Sequence, residues 1–236
     1  MRLVLFGDVH EYLHPLPALA ETLRQADLVV VTGDLTRWRG ARVAAKVLAA
    51  IRQYNPRVLA QVGNTDLWET NAWLTQQGIN LHGQGHRFGP LGLFGVGGST
   101  FTPFGTPTEF SEEELAAALE AGYATVADAP FKLLVAHCPP YGTAVDRLWS
   151  GRHVGSLSVR RFLERYQPDV CICGHIHEAP GEDRIGRTLV INPGMFAQGG
   201  YALVTLQDGT LHAERIPGRE RRLYSTSPFL PSALEE

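Results

Sequence analysis

The sequence predicts an α/β fold over residues 1–217, followed by a C-terminal tail over residues 218–236. Short apolar runs alternate with helical patterns at both ends of the chain, which is typical of buried strands connected by helices. In the middle and near the end, several short strands follow one another without a helix, which argues against a purely parallel sheet. We therefore expect a mixed sheet, or two sheets face to face, with helices outside them.

The first third of the chain alternates regularly between strands and helices. Apolar runs predict three strands, at 3–6, 27–32 and 57–62. Apolar residues at helical spacing predict three helices, at 13–25, 41–54 and 67–77. Pro56 follows the second helix and Gly78 follows the third, as expected at helix ends.

The remainder of the chain contains more strands than helices. Strands are predicted at 79–82, 86–88, 91–96, 131–136, 169–173, 184–192, 201–206 and 211–216. A capping box that begins at Ser111 opens a helix to about residue 127, and a second helix is predicted at 156–166. Loops are predicted at 97–110 and over about 15 residues up to Gly155, and we expect the second, because of its length, to border a site. Residues 207–209 predict a hairpin turn.

Composition limits the classes of protein to consider. The chain has 236 residues, 44% of them hydrophobic, enough for one sizeable core. A net charge of −3 without a basic run argues against binding of long nucleic acids. Three cysteines do not make a disulfide framework. We find neither a signal-peptide core nor an apolar run of membrane-spanning length, so we expect a cytoplasmic protein that does not associate with membranes.

Five of the predicted strands end in side chains that can bind a metal ion. These side chains belong to Asp8 and His10, Asp34, Asn64, His137, and His175 and His177. In α/β folds, ligands bind beyond the carboxyl ends of the strands. One such Asp could simply cap a helix, and one such His could be a core residue, but seven donors at equivalent places favour a metal site.

The donor types restrict the metal. Three carboxylate or amide groups and four imidazoles suit divalent Mn, Fe, Zn, Ni or Co, whereas calcium prefers more oxygen ligands. Seven donors are too many for one ion and too few for two, unless one donor is shared. A carboxylate can bridge two ions, and a two-ion site is suited to displacement at phosphorus.

The ordered motifs within residues 7–177 are Gly-Asp-x-His, Gly-Asp, Gly-Asn-x-Asp, His and Gly-His-x-His. This series resembles the calcineurin-like metallophosphoesterase superfamily. The turn at Asn192-Pro193-Gly194 also resembles one that follows the last histidine motif in small bacterial members. The resemblance implies an α/β (α+β) fold, a four-layer sandwich in which two mixed sheets lie face to face between helices.

The resemblance also implies roles for individual residues. It assigns Asp8, His10 and His177 to one metal, and Asn64, His137 and His175 to a second, with Asp34 bridging. Manganese is the first candidate for both ions. The implied reaction is hydrolysis of a phosphate ester by a hydroxide that bridges the two metals. The residues implied in catalysis are Asp34, Asn64, Asp66 and His137.

One position departs from the family pattern. The family usually has Gly-Asn-His-Asp or Gly-Asn-His-Glu, whereas Thr65 here replaces the histidine. A threonine is not a useful acid at neutral pH, and loss of a general acid lowers the rate by about 10²–10⁴ for a poor leaving group. The departure resembles a small phosphodiesterase-type branch. Asp66 could still orient a ligand, and His153, His14 or a water could supply the proton.

We therefore expect a dinuclear metal-dependent phosphoesterase, more suited to phosphodiesters or activated esters than to ordinary monoesters. Its expected partner is a small phosphate ester, and a homo-oligomer could form through the C-terminal tail. The alternative is a non-catalytic metal-binding scaffold for protein binding, and a nuclease is less favoured.

Overall fold

The computed structural model describes residues 1–218, and its two mixed β-sheets confirm the predicted fold class. The first sheet has five strands: Arg2–Phe6 (β1), Leu28–Val31 (β2), Val58–Ala60 (β3), Tyr201–Gln207 (β10) and Thr210–Ile216 (β11). The second has six: Gly85–Phe88 (β4), Leu91–Val96 (β5), Phe131–Ala136 (β6), Val170–Ile172 (β7), Gly181–Ile185 (β8) and Thr188–Asn192 (β9). Five α-helices accompany them: Ala20–Arg24 (α1), Ala41–Arg52 (α2), Glu69–Gln76 (α3), Glu112–Ala124 (α4) and Leu157–Tyr166 (α5).

Both sheets combine parallel and antiparallel strands, with antiparallel pairing at one edge of the first sheet and at both edges of the second. The strand order is β11-β10-β1-β2-β3 in the first sheet and β4-β5-β6-β7-β9-β8 in the second. Strands β1, β2 and β3 are parallel, and so are β5, β6, β7 and β9. Strands β10, β4 and β8 run antiparallel to their central neighbours. Parallel neighbours end at the same edge of their sheet, which brings the segments that follow them together.

The alternation of side chains in β6 shows how the layers pack. Leu133 and Val135 face the core that both sheets share. Leu134 and Ala136 point the other way, into a second core formed with α4 and α5. This period of two follows from the pleat of an extended strand. The layers are therefore helices, sheet, sheet and helices, as a four-layer sandwich requires.

Two short signals in the sequence are confirmed. Ser111 accepts a hydrogen bond from the Glu114 amide, and Glu114 accepts one from the Ser111 amide, so the capping box opens α4. The hairpin between β10 and β11 turns at Asp208 and Gly209, whose φ angles of 51° and 70° are typical of a tight hairpin turn.

Three predicted elements were wrong in extent. The helix predicted over 13–25 is reduced to α1, because Pro15 and Pro17 have no amide hydrogen and the chain before Ala20 forms turns instead. The single strand predicted over 184–192 is a hairpin, β8 and β9, which turns at Gly186 with φ of 57°. Residues 79–82 form isolated bridges to both sheets rather than a strand.

Some of the predictions concern residues that the structure does not describe. Apart from Gly218, the predicted tail and the subunit contact through it lie outside the described residues, so the domain boundary at residue 217 stays a prediction. Within residues 1–218, none of the helices combines the length and apolar character needed to cross a bilayer.

Candidate metal centre

The seven side chains predicted as metal ligands lie together beyond the carboxyl ends of five strands. They come from the segments that follow β1, β2, β3, β6 and β7, namely Asp8 and His10, Asp34, Asn64, His137, and His175 and His177. Backbone hydrogen bonds hold these segments to one another. The Asp8 amide donates to the Gly33 carbonyl at 3.1 Å, and the His10 amide donates to the Asp34 carbonyl at 2.8 Å.

Four of the seven residues form a first donor set. The ligand atoms of Asp8, His10, Asp34 and His177 all lie within 4.8 Å of one another. His10 Nε2 is 3.3 Å from His177 Nε2 and 3.6 Å from Asp34 Oδ2. His177 Nε2 is 3.3 Å from Asp8 Oδ1. The side chain of His177 is 32% exposed, so this set borders solvent.

The other three residues form a second donor set with Asp34. Asn64 Oδ1 lies 3.1 Å from His137 Nε2 and 2.8 Å from His175 Nδ1. Asp34 Oδ2 lies 3.5 Å from His137 Nε2. The same carboxylate oxygen therefore contacts a histidine of each set. The distances therefore place the seven side chains in two groups that share Asp34, and the binding of one ion by each group stays a prediction.

The spacing of the donors fits divalent ions. Ligands about 2.0–2.2 Å from one ion lie roughly 3.0–3.5 Å from each other, close to the separations in both sets. His137 Nδ1 is 3.2 Å from the Thr32 carbonyl, so a proton there is donated to that carbonyl. In the neutral ring, which is the form that can bind a metal, Nε2 then presents a lone pair to Asn64 Oδ1, which is also an acceptor. A cation between these two atoms satisfies both.

Four of the seven ligands have an uncommon backbone conformation. Asp8, His10, Asp34 and His175 have φ angles of 51°, 46°, 52° and 67°. Positive φ is rare for residues other than glycine and costs about 1–3 kcal/mol each. Such strain persists where surrounding structure enforces it, and it is concentrated at functional sites.

The glycines of the motifs leave room for neighbouring ligands. A Cβ atom on Gly63 would overlap Oδ1 and the backbone nitrogen of Asp34. A Cβ atom on Gly174 would lie 2.7 Å from Asp8 Oδ2. The glycine before Asn64 is therefore needed so that Asp34 can reach both donor sets.

The sequence did not reveal the residues that orient Asn64. Its amide nitrogen donates to Thr106 Oγ1 at 3.0 Å, and the Thr106 hydroxyl donates to Glu109 Oε1 at 2.6 Å. This contact turns Oδ1 of Asn64 toward the histidines. Thr106 and Glu109 lie in the loop 97–110, which was predicted as a loop without a role.

Asn192 supports the loop that carries the last two histidines. Its side-chain nitrogen donates to the carbonyl of Ile176, between His175 and His177, at 2.9 Å. Its Oδ1 accepts the Gly194 amide at 2.9 Å. The Asn-Pro-Gly turn was a usable signal in the sequence, although its contact across 16 residues was not.

Asp66, predicted as catalytic, is completely buried and binds backbone rather than the donor sets. Its Oδ2 accepts the amides of Gly63 and Leu35 at 2.9 and 3.1 Å. Its Oδ1 accepts the amide and the hydroxyl of Thr36, both at 2.8 Å. These contacts tie together the loops that follow β2 and β3 and so hold Asp34 and Asn64 in position.

Thr65, the departure from the family pattern, is part of the same framework. Its amide donates to Asp34 Oδ1 at 2.8 Å, and its hydroxyl donates to the Thr36 carbonyl at 2.8 Å. The hydroxyl also lies 3.5 Å from His10 Nδ1. Thr65 therefore positions the carboxylate of Asp34, and its own proton is directed at a carbonyl.

Burial and neighbouring charges shift the pKa values of several donors and of Asp66. Burial opposes ionisation of Asp34, but His137 outweighs it and holds the pKa of Asp34 well below its usual range. Burial likewise opposes protonation of His137, but Asp34 outweighs it and raises the pKa of His137 to about 9. Burial, with the charge of His137, lowers the pKa of His175 to about 4. Burial and the Asp34 carboxylate raise the pKa of Asp66 to about 7.

The surface around the donor sets is rich in exposed apolar side chains. Nine large apolar residues of the described chain are exposed, and all lie on segments that follow β1, β2, β3, β5 or β6. They are Tyr12, Trp38, Leu67, Trp68, Phe101, Phe104, Tyr141, Trp149 and Leu157.

Comparison with known proteins identifies similar sequences and structures. The model of the calcineurin-like phosphoesterase family matches residues 1–179. The uncharacterized protein MJ1162 of Methanocaldococcus jannaschii is 37% identical over 198 residues, which are 82% of this chain and 88% of that protein. The crystal structure of TT1561 of Thermus thermophilus has a TM-score of 0.68 at 18% identity and covers 90% of this chain and 97% of that one. A dimetal phosphatase from Danio rerio has a TM-score of 0.63 at 14% identity, covering 91% and 95%.

Gly63→Ala tests whether the close approach at Asp34 is needed for metal binding. The added methyl group displaces the carboxylate, so we expect the affinity for Mn²⁺ to fall by about 10-fold or more. The matched control is Gly181→Ala, where a Cβ atom meets open space. Titration with Mn²⁺, followed by calorimetry, measures the affinity of each variant. Equal affinities for the two variants would contradict the steric argument.

Metal binding should release a proton, because His137 is protonated below a pKa of about 9 and must lose that proton to bind a cation. The apparent affinity should rise with pH up to about 9, by nearly tenfold per pH unit, and level off above. Calorimetry at about pH 7.5 in two buffers of different ionisation enthalpy counts the protons. An affinity that does not change over this range would contradict the assignment of His137. The exposed-residue variant His212→Asn serves as the control and should titrate like the wild type.

Proposed function

The chain belongs to the calcineurin-like phosphoesterase family, and from this premise we propose that it hydrolyses phosphodiesters with two divalent ions per chain. Manganese is the proposed metal, with Fe, Ni, Zn and Co as alternatives that the donors also accept. The proposed substrate is a small phosphate ester. The exposed aromatic side chains around the donor sets make aryl diesters suitable probes.

One observation carries this proposal: Asp34 Oδ2 contacts both donor sets. It lies 3.6 Å from His10 Nε2 and 3.5 Å from His137 Nε2. Each set offers enough ligands for one ion if the Asp34 carboxylate is counted in both sets. Because seven side chains then serve two ions, the arrangement supports a dinuclear centre rather than two separate sites.

Two ions held there would supply a nucleophilic water and would stabilise charge on the phosphate oxygens. The chain's own residues perform the remaining tasks. Asp66 and Thr65 hold the Asp34 carboxylate between the two sets. The Thr106 hydroxyl holds the Asn64 amide with its oxygen toward His137 and His175. The site opens to solvent at His177, where a substrate phosphate can enter.

Thr65 is one reason to propose diesters or activated esters rather than ordinary monoesters as substrates. The hydroxyl of this residue donates to the Thr36 carbonyl at 2.8 Å and is a poor acid in any case. Position 65 therefore gives no proton to the leaving oxygen, so that proton must come from another group or the leaving group must depart without one.

Metal analysis of two histidine variants tests the dinuclear proposal. We expect two ions in the wild type and one in each of His175→Ala and His177→Ala, because the variants remove ligands from different sets. Metal content after dialysis, together with metal titration, measures how many ions each variant has lost. The variant His212→Ala, changed on the exposed face of β11, should keep both ions. A common loss of both ions in His175→Ala and His177→Ala would contradict the division.

Hydrolysis of bis(4-nitrophenyl) phosphate with added Mn²⁺ tests the activity. Asp34→Asn weakens both sets at once, so kcat/KM should fall by about 10²-fold or more. The control is Asp208→Asn in the exposed hairpin turn, a position with φ of 51° that asparagine also tolerates. A wild type that binds no metal and hydrolyses no ester would support a binding scaffold instead.

A further inference from the structure

The site lacks a proton donor at the position where the family usually has histidine. Thr65 occupies that position and directs its proton at the Thr36 carbonyl. Two other histidines were considered from the sequence, His14 and His153. His14 Nε2 lies 2.9 Å from the Ala197 carbonyl, so its proton on that nitrogen is already donated to the backbone. His153 has a different partner.

His153 forms a pair with a buried carboxylate. Its Nδ1 lies 2.7 Å from Oδ1 of Asp146, whose side chain is completely buried, while the imidazole itself is 34% exposed. A carboxylate at Nδ1 fixes the tautomer and the orientation of an imidazole. The opposite ring nitrogen, Nε2, is therefore the one that can exchange a proton with a bound molecule.

Asp146 is held rigidly by the loop that it closes. Its Oδ2 accepts the amides of Gly142 and Gly155, both at 3.0 Å, and its Oδ1 accepts the amide of Thr143 at 2.8 Å. These bonds stabilise the charged carboxylate and fix its position. Because three backbone amides hold the buried Asp146 carboxylate, His153 is oriented by a fixed partner rather than by an exposed side chain.

The loop that carries His153 is attached on both sides to segments that carry metal ligands. It begins just after His137, where the Ser156 amide donates to the Pro139 carbonyl at 2.8 Å. Near its tip, the Trp149 amide donates to Oε2 of Glu178 at 2.6 Å, and Glu178 directly follows His177. The loop therefore spans the region between the two segments at the edge of the donor sets.

We propose that His153 is the general acid of the reaction and replaces the histidine that is missing at position 65. The inference rests on the proposed function. As the oxygen of a water molecule bonds to phosphorus, the bond from phosphorus to the leaving oxygen breaks, and its electron pair stays on that oxygen. Nε2 of His153 gives its proton to this oxygen and is later reprotonated from the solvent, which receives the proton that the water loses.

Two diesters that differ in their leaving group test the role of His153. Bis(4-nitrophenyl) phosphate releases a stabilised anion, whereas diphenyl phosphate releases phenol, which departs more easily when protonated. We expect His153→Asn to lose about 10²–10⁴-fold in kcat/KM for diphenyl phosphate. The loss for bis(4-nitrophenyl) phosphate should be at least about tenfold smaller. Added imidazole should partly restore the hydrolysis of diphenyl phosphate by His153→Ala.

Controls separate this role from a structural one. Metal content is measured first, because the variant must bind the same number of ions as the wild type. His212→Asn, changed on the exposed face of β11, should keep the wild-type ratio of the two kcat/KM values. Equal losses for both esters, or a loss for neither, would overturn the assignment of His153. A wild type inactive toward both esters with every metal would overturn the proposed function, and this inference with it.

Discussion

The position of the Asp34 carboxylate is the constraint on which the rest of the site depends. One of its oxygens contacts a histidine of each donor set, and the other accepts the Thr65 amide at 2.8 Å. This arrangement requires a left-handed backbone at Asp34 and the absence of a side chain at Gly63. The loops after β1, β2 and β3 are therefore joined at this one group, and a small displacement of it would disturb both donor sets.

The sequence was sufficient to predict that these seven side chains meet at one edge, because each signal is local. Every donor follows an apolar run at the end of a strand, and parallel strands bring such ends to one edge without further information. The sequence was insufficient where contacts join distant segments. Thr106 reaches Asn64 across 42 residues, and Asn192 reaches Ile176 across 16. The pairing of β10 with β1, which completes the first sheet, spans nearly the whole chain and has no local signature.

The helix prediction failed for a different reason. Apolar spacing between residues 13 and 25 fits a helix, but the amide hydrogens that a helix requires are missing at Pro15 and Pro17. The spacing of apolar residues predicts which face of a helix would be buried. It does not show whether the backbone can form the hydrogen bonds of a helix. In contrast, Ser111 and Glu114 supply those bonds explicitly, and the start of α4 was predicted correctly.

The left-handed backbone at Asp8, His10, Asp34 and His175 has a consequence for how such a protein can diverge. Glycine adopts this conformation freely, and asparagine and aspartate adopt it more often than most residues, whereas β-branched residues rarely do. A descendant can exchange these four residues for asparagine or glycine and keep its fold. Exchange for valine or isoleucine would damage the scaffold itself. The donor side chains can thus be lost in evolution without loss of the architecture, through a narrow set of substitutions.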